Sequence, residues 1–444
     1  EDWTPPASPK DSFGEASRPL RIGYISPDFF RHSVSYFILA ALRHHDPRQF
    51  HITCYSDVGQ PDDKTEYFKT LVPRWRSTFG KSHEEVAQQI YEDGIDILVE
   101  LTGHTGNNRL QMLARKPAPV QITWIGYPHT TGMERVDYRI SDVHADPPEK
   151  PGLTTEKLLY LPECFLCYTP PEVAPTINTR PVQESLGSIT FGCFNNLAKI
   201  STTMIRVWSK LLKAVPESRL FLKSKALLCE SVRHRFRRAF EEQGIDASRI
   251  DLTGWQPHTG SHLAMYNCVD VALDTAPYAG TTTTCEALFM GVPVVTLRKP
   301  GIHAHNVGVT LLRALNLEEL VCNSEEEYVS QATAIARHPT KLAALRAGLR
   351  TRMTRSVLCD GPRHATALEQ LFLDAATSTR EALLSKKKTN LEASRTAKSQ
   401  KLPGAIASGD KAGGDSSDKN SAAAAAGSGG ASPAESLSSS AEML

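Results

Sequence analysis

Four consecutive threonines stand behind a Pro/Gly turn in Val271-Ala-Leu-Asp274-Thr-Ala-Pro277-Tyr278-Ala-Gly280-Thr281-Thr282-Thr283-Thr284-Cys285-Glu286. The apolar run before the turn predicts a buried strand. Gly291 and Pro293 beyond it predict a helix that ends at the glycine and a strand that starts at the proline. The first amides of a helix have no partner within it, so a helix N-terminus is suited to hold phosphate. Here the hydroxyls of Thr281, Thr282 and Thr283 add to those amides. Glu286, read as lying in the first turn, offers a carboxylate to ribose hydroxyls. The plainer account is a Thr N-cap with Glu in a capping box, but four threonines exceed what a cap requires.

A second candidate is Lys199, just after the strand-like Phe191–Asn196 segment. Parallel strands deliver residues at their carboxyl ends to a ligand crevice. A lysine at the start of a helix is electrostatically unfavourable unless an anion binds there. A positioned cation stabilises negative charge that develops on a bound anion. His32 follows the first strand in a loop, where imidazole suits general-base work or a hydrogen bond to a sugar. A lone loop histidine is usually just solvated. His104, in the Gly-His-Thr loop after the Ile97–Leu101 strand, is a weaker case of the same kind. There is no G-x-G-x-x-G after the first strand and no P-loop pattern, which argues against a dinucleotide enzyme or a P-loop NTPase. No metal site is expected: Cys164 and Cys167 form a C-x-x-C without a second pair, and read as structural thiols of a reducing compartment.

Such loops need strands behind them. From Leu20 onward short apolar runs alternate with helical periodicity, the pattern of parallel sheets covered on both faces. Strands are expected at Leu20–Ser26, His51–Ser56, Asp96–Leu101, Val120–Ile125 and Tyr138–Ser141. After a Pro-rich connection a second series follows at Ser188–Phe191, Arg219–Lys223, Ile250–Leu252, Val269–Leu273 and Pro293–Leu297. Met204, Trp208, Leu211 and Val215 repeat as the core stripe of a helix. The expected organisation is an irregular lead-in over 1–18, one Rossmann-like lobe over 19–180 and a second over 181–384, whose last helix returns to the first. Residues 385–444 lack Phe, Tyr, Trp and Val and are expected to be a disordered tail.

Lys plus Arg is 50 against 49 for Asp plus Glu, so no global field attracts nucleic acid or an anionic membrane. No run of about 18 apolar residues is present, so no membrane span is expected. The sequence opens Glu1-Asp2-Trp3, without an initiator Met or a signal peptide, and is read as a fragment.

Several segments carry a specific resemblance. Arg21-Ile-Gly-Tyr-Ile-Ser-Pro-Asp28-Phe-Phe-Arg-His32, Leu98-Val-Glu-Leu-Thr-Gly-His104-Thr-Gly-Asn107-Asn108 and Pro117-Ala-Pro-Val-Gln-Ile-Thr-Trp124-Ile-Gly-Tyr127-Pro resemble the catalytic region of the O-linked N-acetylglucosamine transferase superfamily. Phe191-Gly-Cys-Phe-Asn-Asn196-Leu-Ala-Lys199 and the threonine-rich turn extend the likeness over roughly residues 20–380. The branch most resembled is the SPINDLY type. The resemblance implies an α/β protein of GT-B type, two Rossmann-like lobes with the donor in the cleft between them, and inverting transfer without a metal. It implies that Lys199 meets the donor phosphates and that His32 lies near sugar and acceptor. Asn196, His262 and His305 match donor-site positions, and His104 and Tyr127 match sugar or acceptor contacts.

The co-substrate implied is GDP-fucose, with UDP-N-acetylglucosamine as the alternative, and no cofactor. The implied partners are cytoplasmic and nuclear proteins glycosylated on Ser or Thr. Family members usually carry N-terminal tetratricopeptide repeats, and no repeat of that period occurs in this sequence. A sugar-nucleotide 2-epimerase and a non-catalytic nucleotide-sugar-binding scaffold are the other classes compatible with the fold.

Overall fold

Strand β1, Leu20–Ser26, is buried at every position but one, as a strand covered on both faces must be. It pairs in parallel with β2 (Phe50–Ser56) on one side and β4 (Ile97–Glu100) on the other. With β3 (Arg74–Ser77), β5 (Val120–Thr123), β6 (Tyr138–Ser141) and β7 (Lys157–Tyr160) they form a seven-stranded sheet of order 3-2-1-4-5-6-7. The second sheet has six strands: β8 (Thr190–Cys193), β9 (Arg219–Lys223), β10 (Ile250–Thr253), β11 (Val271–Leu273), β12 (Val294–Leu297) and β13 (Val321–Cys322). Their order is 10-9-8-11-12-13, again with parallel pairing. This computed structural model describes residues 18–399 apart from 151, 180, 182–186 and 257.

In each sheet the strand order reverses once, between β1 and β4 and between β8 and β11. A doubly wound sheet opens its ligand crevice outside the carboxyl ends of those strands, because the following connections leave to opposite faces. The loops after β1, β4, β8 and β11 are the ones that carry His32, His104, Lys199 and the threonine run.

The expected strands are all present. β3, β7 and β13 were not foreseen: they are short edge or near-edge strands, and β3 reads Arg-Trp-Arg-Ser with no apolar alternation. The helix Thr202–Ala214 buries Met204, Trp208 and Leu211, while Val215 sits at its C-cap. One apolar cluster joins the lobes, with Ile22 and Phe37 of the first and Leu288 and Leu311 of the second. Buried polar contacts cross the same seam. Asp146 accepts from His303 Nδ1 at 2.7 Å, and Asp142 accepts from Thr310 Oγ1 at 2.6 Å.

The N-terminal part of the long helix Gly361–Ser399 contacts residues of the first lobe. Glu369 Oε1 lies 3.0 Å from His45 Nδ1, and the His364 ring stacks on Trp124 at 5.7 Å. Residues through Thr379 form one unit and those from Arg380 a second. Of the segment 385–444 expected to be disordered, residues 385–399 are described as the end of this helix. Residues 400–444 lie outside the described residues, as do 1–17 of the lead-in. Arg18, assigned to that lead-in, is already tied down by a bidentate pair to Asp96 at 2.7 Å. Among the described residues, no helix is long and apolar enough to cross a membrane.

Candidate active site

A cavity of about 230 Å³ lies between the two carboxyl edges. Asp28, His32, Ile125 and Pro128 line it from the first lobe, and Asn196, Lys199, Tyr278 and Thr281–Thr283 from the second. Its position is the one the fold dictates, where both topological switch points meet.

Lys199 ends a short 3-10 turn, Leu197–Lys199, that Asn196 caps by accepting from the Ala198 amide at 3.0 Å. Asn196 therefore has a structural duty at the cavity wall. The Lys199 ammonium lies 3.7 Å from the Tyr278 ring centroid and donates to the Ala279 carbonyl at 3.3 Å. Burial pushes its pKa down to about 8, against the opposing charge of Asp274. No carboxylate forms a salt bridge with it among the described residues. It is a cation held at the cavity with an aromatic face and a carbonyl as partners, and an anion would restore its charge. Tyr278 stays a neutral phenol, its pKa pushed up to about 12 by burial and by Tyr127 nearby.

Asp274, which follows β11, organises the turn between strand and helix, and its role was not anticipated. Its buried carboxylate accepts from the amides of Thr275 (2.8 Å) and Gly280 (2.6 Å) and from Thr296 Oγ1 (2.7 Å). Burial raises its pKa, and these donors pull it back. Asn195 links this anchor to the helix: its Nδ2 donates to Thr275 Oγ1 at 3.1 Å, and its Oδ1 accepts from Thr283 Oγ1 at 2.5 Å. A Cβ on Gly280 would meet Thr283 Oγ1 at 2.5 Å, so the turn closes only with glycine there. An Asp at the carboxyl end of a strand, six residues before a glycine that opens a helix, was the available signal.

The threonine helix spans Thr282–Phe289 with Thr281 at its N-cap, and no side chain caps it. Glu286 is thus the fifth helical residue and not in the first turn, so the capping-box account fails on geometry. Thr281 and Thr282 line the cavity, and among the described residues their hydroxyls have no protein partner. Glu286 is buried behind the wall. Its Oε2 accepts from His262 Nε2 at 2.8 Å and from Tyr266 OH at 3.2 Å. His262 lies in the six-residue helix Thr259–Ala264, with its Nδ1 2.6 Å from Lys223 Nζ. Neither Glu286 nor His262 is part of the cavity wall proper.

On the first lobe, His32 Nδ1 accepts from the Val34 amide at 3.3 Å and lies 3.6 Å from Asp28 Oδ1. The amide favours a lone pair on Nδ1 and therefore the proton on Nε2; the carboxylate favours the opposite arrangement. Burial raises the Asp28 pKa, and His32 partly offsets this. Beyond β5, Ile125 has φ +70°, and the Gly126 amide donates to the Trp124 carbonyl at 2.9 Å. That is the strained, positive-φ γ-turn, rare for a β-branched residue. A Cβ on Gly126 would sit 1.9 Å from the Leu101 carbonyl, so this turn packs directly on the end of β4.

The other expected residues stand nearby rather than on the wall. His104 is exposed, its Nε2 2.7 Å from the Thr131 carbonyl, and its ring meets Tyr127 edge-on at 5.3 Å. His305 is buried in the helix His303–Ala314 with neither ring nitrogen bonded, and burial holds its pKa down at about 4. Cys164 and Cys167 are buried free thiols, and burial pushes Cys164 up to about 12. Both fit a packing role. No three His, Cys, Asp or Glu side chains among the described residues converge as metal ligands.

Comparison with known proteins gives this geometry a lineage. The chain is 48% identical over 367 residues to a probable UDP-N-acetylglucosamine–peptide N-acetylglucosaminyltransferase SPINDLY of Arabidopsis thaliana, covering 82% of this chain and 40% of that protein. Its identity to the Solanum lycopersicum counterpart is also 48%, over 80% of this chain and 38% of the relative. The chain thus spans about two-fifths of the length of these curated relatives. A Thermobaculum terrenum O-GlcNAc transferase mutant superimposes with a TM-score of 0.76 at 37% identity, covering 82% of this chain and 69% of that one. The model of glycosyl transferase family 41 matches residues 4–186 and 185–368, so nearly the whole two-lobed unit is accounted for and the chain belongs to that family.

Proposed function

We propose that this chain is the catalytic part of a protein O-glycosyltransferase of SPINDLY type. It transfers fucose from GDP-fucose to Ser or Thr of intracellular proteins, by inversion and without a metal. The observation that carries the reading is Lys199, a cation without a carboxylate partner among the described residues, held at a cleft opposite Asp28 and His32. The acceptor hydroxyl attacks the anomeric carbon as the bond to the diphosphate oxygen breaks. Lys199 and the uncapped start of the helix Thr282–Phe289 neutralise the charge that leaves. The hydroxyl proton goes to a base on the acceptor side, where His32 and Asp28 are the side chains at hand, or to a phosphate oxygen of the donor.

A second donor has support of its own. The named relatives carry UDP-N-acetylglucosamine in their descriptions, whereas the SPINDLY-like motifs argue for GDP-fucose. A donor screen tests both: protein labelling by GDP-fucose and UDP-N-acetylglucosamine, with the anomeric configuration of the product read by NMR. Labelling from GDP-fucose is expected. Labelling from UDP-N-acetylglucosamine alone overturns the donor, and altered free nucleotide sugar without labelled protein points to an epimerase. Retained nucleotide binding without either reaction leaves a scaffold.

A further inference from the structure

Lys223 ends β9, is only 6% exposed, and among the described residues has no carboxylate in direct contact. Its ammonium lies 2.6 Å from His262 Nδ1 and 5.5 Å from the centroid of the Phe194 ring, which lines the cavity. The other nitrogen of His262 lies 2.8 Å from Glu286 Oε2, which Tyr266 OH also reaches. Lys223, His262 and Glu286 thus form a buried relay beside the donor half of the cleft.

We infer that Lys223 is a positioning residue for the nucleoside end of the donor site, acting through the tautomer of His262. The inference rests on the reading that a nucleotide sugar binds to this lobe.

An ammonium has donors and no acceptor, so Nδ1 must present its lone pair to it. The ring proton then sits on Nε2 and is donated to Glu286. The opposite tautomer would set two donors face to face at Nδ1 and two acceptors face to face at Nε2. Burial lowers the Lys223 pKa and the Glu286 charge opposes this. Two consequences follow for a ligand. Both nitrogens of His262 are occupied, leaving its ring face for contact. Glu286 Oε2 is engaged by two donors, His262 Nε2 and Tyr266 OH, which fixes where its carboxylate stands.

A purely structural role would make Lys223 a stability residue and nothing more. The two accounts separate in one set of measurements on the full chain: long-range 1H–15N spectra of the histidine rings, calorimetric binding of GDP and of UDP, and steady-state kinetics. The expected result is an Nε2–H pattern for His262 in the unmodified protein. In Lys223→Met the Nδ1 resonance moves as its donor is removed, while Glu286 still accepts from Nε2; nucleotide binding weakens about tenfold, and turnover at saturating donor stays within about twofold. Lys223→Gln, which keeps an N–H donor without the charge, retains the tautomer, and so does Lys223→Arg; these two carry the test if the Met variant fails to fold. A folded Lys223→Met with unchanged His262 pattern and unchanged nucleotide affinity overturns the inference, as does a Gln or Arg variant with the opposite tautomer. An unmodified chain that binds neither GDP nor UDP overturns the proposed function, and the ring spectra still decide what Lys223 does to His262.

Discussion

Lys199 lies 3.7 Å from the Tyr278 ring centroid, and both side chains line the cleft. The ring supports the ammonium from one side without neutralising it, as a carboxylate would. Lys199→Met keeps the length of the stem and removes the charge. Transfer should fall by roughly 100- to 1000-fold, about 3–4 kcal/mol of transition-state stabilisation. The melting temperature should hold, because no ion pair is broken. Kinetics with a melting curve check this, and near-native turnover would refute the assigned role.

The same lysine sets a pH limit. Burial puts its pKa at about 8, so the ammonium is charged below that value and its charge is lost above it. Nucleoside diphosphate affinity should therefore fall as pH rises past about 8, and Lys199→Met should flatten that fall. Stability runs the other way. The folded state holds the Lys199 proton less tightly than the unfolded chain does, so this residue's contribution to stability improves between about 8 and the unfolded value near 10.4. Binding isotherms and melting curves across pH 7–10 should move in opposite directions.

Transfer should survive chelation. Lys199 and the helix N-terminus at Thr281 provide the positive potential that a divalent ion supplies elsewhere. Activity lost in EDTA and regained with a divalent cation would count against this mechanism.

Asp274→Asn replaces an acceptor of several hydrogen bonds by a group that turns an NH2 toward some of its donors. A cost of about 1–3 kcal/mol in stability is expected, with weakened donor binding as the turn before Thr281 loosens. Denaturant unfolding and nucleotide binding measure the two effects. A stable variant with intact binding would show that the turn holds itself.

Asp146 tests the seam between the lobes. Burial alone would raise its pKa, but the His303 hydrogen bond and the charges of His303 and Arg139 hold it well below the usual carboxylate range. Its contribution is present above the unfolded value near 3.9 and is lost as pH falls toward the folded one. Asp146→Asn should cost about 3–5 kcal/mol near neutrality, since the buried Arg139 loses its counter-charge. The gap between variant and unmodified melting temperatures should narrow below about pH 4.

The sequence by itself determined the periodic features. Buried parallel strands carry apolar runs, so β1 and β9 were legible to the residue, and alternation with helices implied two doubly wound sheets. The threonine run and Lys199 were legible because helix termini and strand ends place local constraints on residue type. Edge strands such as β3 and β13 were not, since partly exposed or two-residue strands leave no period to read. Pairings distant in sequence were decided only by tertiary structure. Lys223 and His262 are 39 residues apart and meet because β9 ends beside the helix Thr259–Ala264; Asn195 and Thr283 are 88 apart and meet because β8 and β11 are neighbours. A side chain's partner depends on which strands lie side by side, and local sequence carries no record of that. For the same reason Glu286, placed by sequence in a first turn facing ribose, is turned by the helix start at Thr282 toward His262 and Tyr266.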